Sequence, residues 1–214
     1  WLLQTLEPAL PGSLLVASSD LEIALVGALA QPCGILLLAG TGSAVYGISP
    51  AGGRLQIGGW GYLLGDDGSS YWIGRQLLRH LISVHDSGSS VESDALSSHC
   101  LNELGLKQPR ELIAWLYRAE EAPAARIASL ARVAIDAASE GDATAIQILE
   151  QAATLLVAQA AVLQRRLAYD DAPIAFAGFS NLVSKELGLI ERPVSKYPPV
   201  IGAALLAKLK WSAT

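Results

Sequence analysis

Methionine is absent from all 214 residues, and the chain has only two cysteines, two phenylalanines and 16% charged side chains. Cys33 and Cys100 are too few for a disulfide scaffold; they point to a reducing compartment and suit small buried apolar positions. Lysine and arginine number 15 against 20 acidic residues, giving a net charge of −5. With no basic block, nucleic acid is not an expected partner. Every long apolar segment is broken by Gln, Glu or Arg, so no membrane span is expected. The first residues carry no signal-peptide pattern. A chain that starts at Trp1 and lacks methionine is expected to be a fragment or a processed product, or a sequence from which selenomethionines were dropped. At 51% hydrophobic it reads as globular, with length for one large domain or one and a half smaller ones.

What is abundant is glycine, and it is concentrated. Residues 34–69 hold 11 of the 20 glycines. The window opens on Ile35 to Leu38, the pattern of a strand buried on both faces. Gly40-Thr41-Gly42-Ser43 follows, where glycines allow a tight turn and close approach to a ligand, and the hydroxyls add polar groups. Val45 to Ile48, a Ser49-Pro50-Ala51-Gly52-Gly53 turn and the alternating Leu55-Gln56-Ile57 predict a hairpin. Gly59-Trp60-Gly61 and then Gly65-Asp66-Asp67-Gly68 lead into a helical pattern from Tyr71. The carboxylates there fit either a helix cap or a ligand-holding loop. Trp60 taken alone reads as a core residue.

The remaining chain alternates helices with short strands. Leu14 to Ala17 reads as a strand and Leu21 to Leu29 as a helix capped by Ser19 or Asp20. Asp20 fits a plain cap, or a carboxylate facing a crevice at the end of a strand. Helices are expected over 71–85, 93–104, 109–117, 123–138 and 143–166, the last with a buried stripe at Ile146, Leu149, Ala153, Leu156, Ala160 and Leu163. His80, His85, His99 and Cys100 make no zinc spacing, and no metal site is predicted. Pro173 to Gly178 is a strand ending in glycine. Ser180-Asn181-Leu182 then starts a helix, a common nucleotide-crevice arrangement. The segment 198–207 is a helix with small residues on one face. Strands alternating with helices make this an α/β chain.

GTGS at 40–43 followed by GGWGYLLGDDGSSYWIG at 58–74 resembles the N-acetylglucosamine kinase and glucosamine kinase branch of the BadF/BadG/BcrA/BcrD ATPase family. That family sits in the superfamily of sugar kinases, actin and the large heat-shock chaperones. The resemblance implies a ribonuclease H-like (actin-like ATPase) lobe, a central mixed sheet with packed helices. It implies residues 1–32 as the end of an N-terminal lobe and 33–214 as the C-terminal lobe. ATP and Mg2+ would be the cofactors, an amino sugar the substrate and the cytoplasm the location; a homodimer is compatible with it.

Residue by residue, the resemblance makes Asp20 the catalytic base. Gly40, Thr41 and Gly42 fall to the nucleotide phosphates, with Gly178 and Ser180 in the adenosine motif, where Phe179 replaces a usual second glycine. Ser43, Gly59, Trp60, Gly61 and Asp66 fall to the sugar, and Asp67 replaces a frequent glutamate. The family's D-x-G-x-T hairpin has no counterpart here. The chain is therefore expected to be the C-terminal part of a two-lobed kinase, inactive or weak alone. Two rivals stand beside this reading. One is an ATPase activator of an acyl-CoA dehydratase or reductase, which needs clustered cysteines. The other is a sugar-binding sensor without catalysis.

Overall fold

The computed structural model describes residues 2–11, 17–117, 122–178, 196–197 and 199–211. After helix α1 (Leu2–Leu6) and a 3-10 turn comes α2 (Asp20–Leu29). Three strands follow: β1 (Gly34–Ala39), β2 (Ser43–Ile48) and β3 (Arg54–Gly58). The helices are α3 (Ser70–Asp86), α4 (Ala95–Leu104), α5 (Leu112–Leu116), α6 (Pro123–Ser129), α7 (Ala131–Ser139) and α8 (Ala143–Leu167). Strand β4 (Ile174–Gly178) and helix α9 (Pro199–Trp211) complete the described elements.

The sheet has the order β3-β2-β1-β4, with β1 to β3 antiparallel neighbours and β4 parallel to β1. This is the mixed sheet expected from the sequence. Strand β1 is central, which explains its unbroken apolar run: Ile35, Leu36 and Leu37 are at most 1% exposed. Ile35, Leu37 and Val45 face α8, packing on Ala153, Leu156, Ala160 and Leu163. Leu36, Tyr46 and Ile48 face the other way, against Leu25 and Val26 of α2 and Leu206 of α9. A third core joins α3 to α7 with the start of α8. Helix α8 is long and apolar enough to cross a membrane by length and composition alone, yet its apolar stripe lines two protein cores.

Two glycines set helix crossings. A Cβ on Gly74 would strike the Ile127 carbonyl of α6, and one on Gly202 would strike the Ile23 carbonyl of α2. The small-residue face of the last helix thus permits close approach to α2.

Several helix boundaries differ from expectation. The segment 93–104 begins later, because the Asp94 side chain accepts from the Ser97 amide and caps α4. Asp94 also meets His80 Nε2 at 3.1 Å, so that histidine is paired with a carboxylate. Residues 109–111 form a 3-10 turn before α5. The single helix expected over 123–138 is two, broken at Leu130. The strand expected at 14–17 falls almost wholly outside the described residues, as do Ser180 and the helix start at 180–182.

Candidate active site

Strands β1 and β4 run parallel and finish level, Ala39 opposite Gly178. Ligands of open α/β sheets collect beyond such carboxyl ends. At this edge lies an open cleft of about 480 Å³. Asp20, Gly40, Thr41, Gly42 and Ser43 line it, and so do Gly59, Gly61 and Asp66. Trp60 lies just beyond, 75% exposed, on an adjoining recess of about 260 Å³ that shares Gln56 and Gly59 with the cleft. It is not a core residue, because the left-handed glycines Gly58, Gly59 and Gly61 turn the chain outward there. Gly178 stands at the end of β4.

Asp20 is exposed at the first position of α2 because Ser19 does the capping: Ser19 Oγ accepts from Glu22 N at 3.1 Å. Among the described residues the Asp20 carboxylate takes only the Leu21 amide, at 2.9 Å, and it lines the cleft.

The Gly40–Gly42 turn is held from behind by α3. Ser70 N donates to Gly40 O at 2.8 Å and Tyr71 N to Thr41 O at 3.3 Å. Gly40 N donates to Gly42 O, whereas the amides of Thr41 and Gly42 have no acceptor among the described residues. A Cβ on Gly40 would meet nothing within 4 Å, so the protein's own packing does not require a glycine there. Gly42 is different: its Cβ would lie 2.7 Å from Asp66 Oδ2.

Asp66 has φ of +59° and is only 9% exposed, and its carboxylate has no hydrogen-bond partner among the described residues. Aspartate enters the left-handed region more readily than most side chains, but a non-glycine residue there is uncommon. Ser43 Oγ donates to Asp67 O at 2.8 Å and is buried, so this hydroxyl fastens the acidic loop to β2. Ser69 Oγ caps α3 through Trp72 N at 3.1 Å, leaving both carboxylates of the loop unneeded as caps. Asp67 itself is exposed.

The sequence model of the BadF/BadG/BcrA/BcrD ATPase family matches residues 12–207. The chain belongs to this family. It is 36% identical over 139 residues to the N-acetylmuramic acid/N-acetylglucosamine kinase of Clostridium acetobutylicum, covering 65% of this chain and 44% of that protein. It is 31% identical over 195 residues to the N-acetyl-D-glucosamine kinase of Dictyostelium discoideum, covering 81% and 59%. A solved structure of a candidate N-acetylglucosamine kinase from Chromobacterium violaceum superposes with a TM-score of 0.73 at 26% identity, covering 95% of this chain and 70% of the other. A Porphyromonas gingivalis structure with a TM-score of 0.65 and 19% identity, covering 89% and 65%, shows the fold alone. The chain spans about half the length of the curated relatives it matches.

The support beneath the site of this ATPase-family chain is not marked by any motif in its sequence. Arg54 of β3 pairs with Glu22 of α2 at 2.9 Å, and Ser18 Oγ donates to Glu22 Oε2 at 3.0 Å. Tyr46 lies beneath them; burial, then the Glu22 charge, pushes its pKa up. These contacts fix the turn of α2 that carries Asp20. The pairing joins positions 32 residues apart, and only the acid–base complementarity hinted at it. Gln56 also lines the cleft, unanticipated. Cys100 is buried and its thiol is pushed up to about 12 by burial and then by Glu103. Cys33 sits by Tyr169 Oη, and neither cysteine lines the cleft.

Proposed function

We propose that this chain carries the transfer site of an ATP-dependent kinase acting on an amino sugar such as N-acetylglucosamine or glucosamine. The observation that carries the reading is the meeting, in one cleft, of the Asp20 carboxylate, two turn amides and the Asp66 carboxylate held in the left-handed region, the amides and Asp66 having no partner among the described residues. A sugar hydroxyl held by Asp66 would point at the nucleotide, and charge-assisted bonds to a carboxylate suit that task. Asp20 would orient the attacking hydroxyl and take its proton as oxygen bonds to the γ-phosphorus and the β–γ bridging bond breaks. Thr41 N and Gly42 N would meet phosphate oxygens, and the missing side chain of Gly40 leaves room for them. Gly178 would border the nucleoside. Gly59, Trp60 and Gly61 would wall the sugar, and Ser43 would serve through the loop it holds.

Mg2+ would neutralise phosphate charge. Among the described residues no group of three or more His, Cys, Asp or Glu converges. We assign residues 1–32 to the end of an N-terminal lobe, 33–214 to the C-terminal lobe, and the cytoplasm as location.

Calorimetry with N-acetylglucosamine, with and without ATP, tests the reading. Binding of both is expected; sugar without nucleotide would replace it with a sensor. A coupled assay should give little or no turnover from the chain alone. Ordinary turnover would show that no second phosphate-binding lobe is needed.

A further inference from the structure

Alternation along β3 sends Leu55 and Ile57 into the α8 core and leaves Gln56 on the opposite face, in register with Tyr46. Gln56 stands at the boundary between the cleft and the recess bearing Trp60, and lines both. Its Nε2 donates to Gly58 O at 3.3 Å, a long bond between near neighbours. Its Oε1 has no partner among the described residues. Gly59, at φ of +72°, sits against that amide and has no Cβ to strike Nε2. A carboxamide has two donor hydrogens and an acceptor with two lone pairs, so most of its bonding capacity is unused here.

The recess therefore offers an amide donor, an amide acceptor and an exposed indole, side by side. A sugar's 2-acetamido group offers the complement: an N–H, a carbonyl and a methyl. A free 2-amine brings a positive charge and neither carbonyl nor methyl. On the strength of the amino-sugar reading above, we infer that Gln56 is a specificity-determining residue that selects the N-acetylated sugar over the free amine by pairing with its acetamido group. Sites built around a hydrogen-bonding group discriminate most against ligands that leave that group unpaired.

The test is a chemical-shift titration, which reads millimolar affinities, of the 214-residue chain with N-acetylglucosamine, glucosamine and glucose. It is repeated on Gln56→Ala and Gln56→Glu. Gln56 is exposed and its strand pairing is through the backbone, so both variants should melt as the parent does. Gln56→Ala should weaken N-acetylglucosamine roughly tenfold, about one or two lost hydrogen bonds, and leave glucose unmoved. Gln56→Glu, which keeps an acceptor and gains charge, should turn the preference towards glucosamine. If the three sugars move together, or none moves, the inference is overturned while the kinase reading stands. If the unaltered chain binds none of them, the amino-sugar reading itself fails and takes this inference with it.

Discussion

The two faces of the four-stranded sheet are built from the same strands and do opposite jobs. Towards α8 the strands present Ile35, Leu37, Val45 and Phe176, meeting a stripe of Ala and Leu. Towards α2 the same strands present Tyr46, Arg54 and Gln56, and α2 answers with Glu22 and, at its tip, Asp20. Only the second face opens on the cleft. Packing alone specifies the first face, so many apolar residues would serve there. The second face holds one carboxylate at one place, and it does so with an ion pair whose Glu22 side chain is 11% exposed and whose Arg54 side chain is 46% exposed.

If this division is sound, substitutions on the two faces must separate stability from chemistry. The largest effect is expected from Asp20→Asn. Joined to a lobe that supplies a phosphate-binding hairpin, the variant should slow phosphoryl transfer about 10²–10⁴-fold, the usual contribution of a general base, with an unchanged urea midpoint. Equal rates would remove Asp20 from the mechanism. Leu163→Ala, on the packing face, should do the reverse. It should cost about 3 kcal/mol in urea unfolding, as buried leucines do, and leave sugar affinity in the folded protein alone.

Glu22→Gln should fall between them. It leaves Arg54 without its charged partner, costing about 1–2 kcal/mol, and should lower the transfer rate while sugar affinity holds. A stability loss with full activity would reduce the ion pair to a structural brace. A smaller effect belongs to Tyr46. Its pKa is raised above the ordinary 10.0 by burial and then by Glu22. The folded state therefore favours the protonated phenol, whose stabilisation is complete below pH 10 and declines above it. Urea midpoints measured from pH 9 upward should fall less steeply in Tyr46→Phe than in the parent. The smallest effect on stability is expected from Gly40→Ala. The added methyl meets nothing within 4 Å, so melting should shift by no more than about 1 kcal/mol, upward if at all. Nucleotide affinity should nevertheless fall, because the methyl would occupy the room left for phosphate.

Legibility followed how local the physics is. The central strand could be read because burial on both faces forces a continuous apolar run, and the hairpin because its turn residues have few alternatives. The glycine-rich turn and the acidic loop could be picked out as neighbours in one window, and the structure places them on one cleft with Asp20. What escaped depended on distance or on backbone detail. Nothing in a helical pattern marks Leu130 as the end of α6, since leucine suits either side of a break. Trp60 is carried outward by left-handed glycines, and composition favours burying a tryptophan. Gln56 looked like the polar step of an alternating strand. Glu22 and Arg54 became partners only once α2 crossed the sheet.

The two bonds from the start of α3 to the carbonyls of Gly40 and Thr41 have one more effect. In a trans peptide the C=O and N–H edges point opposite ways, and no cis bond occurs among the described residues. Tethering those two oxygens to α3 therefore forces the hydrogens of Thr41 and Gly42 to look away from it. Reversing either peptide plane would require breaking its tether. The lip of this crevice thus has a fixed polarity: it offers hydrogens to guests rich in lone pairs before any side chain is consulted.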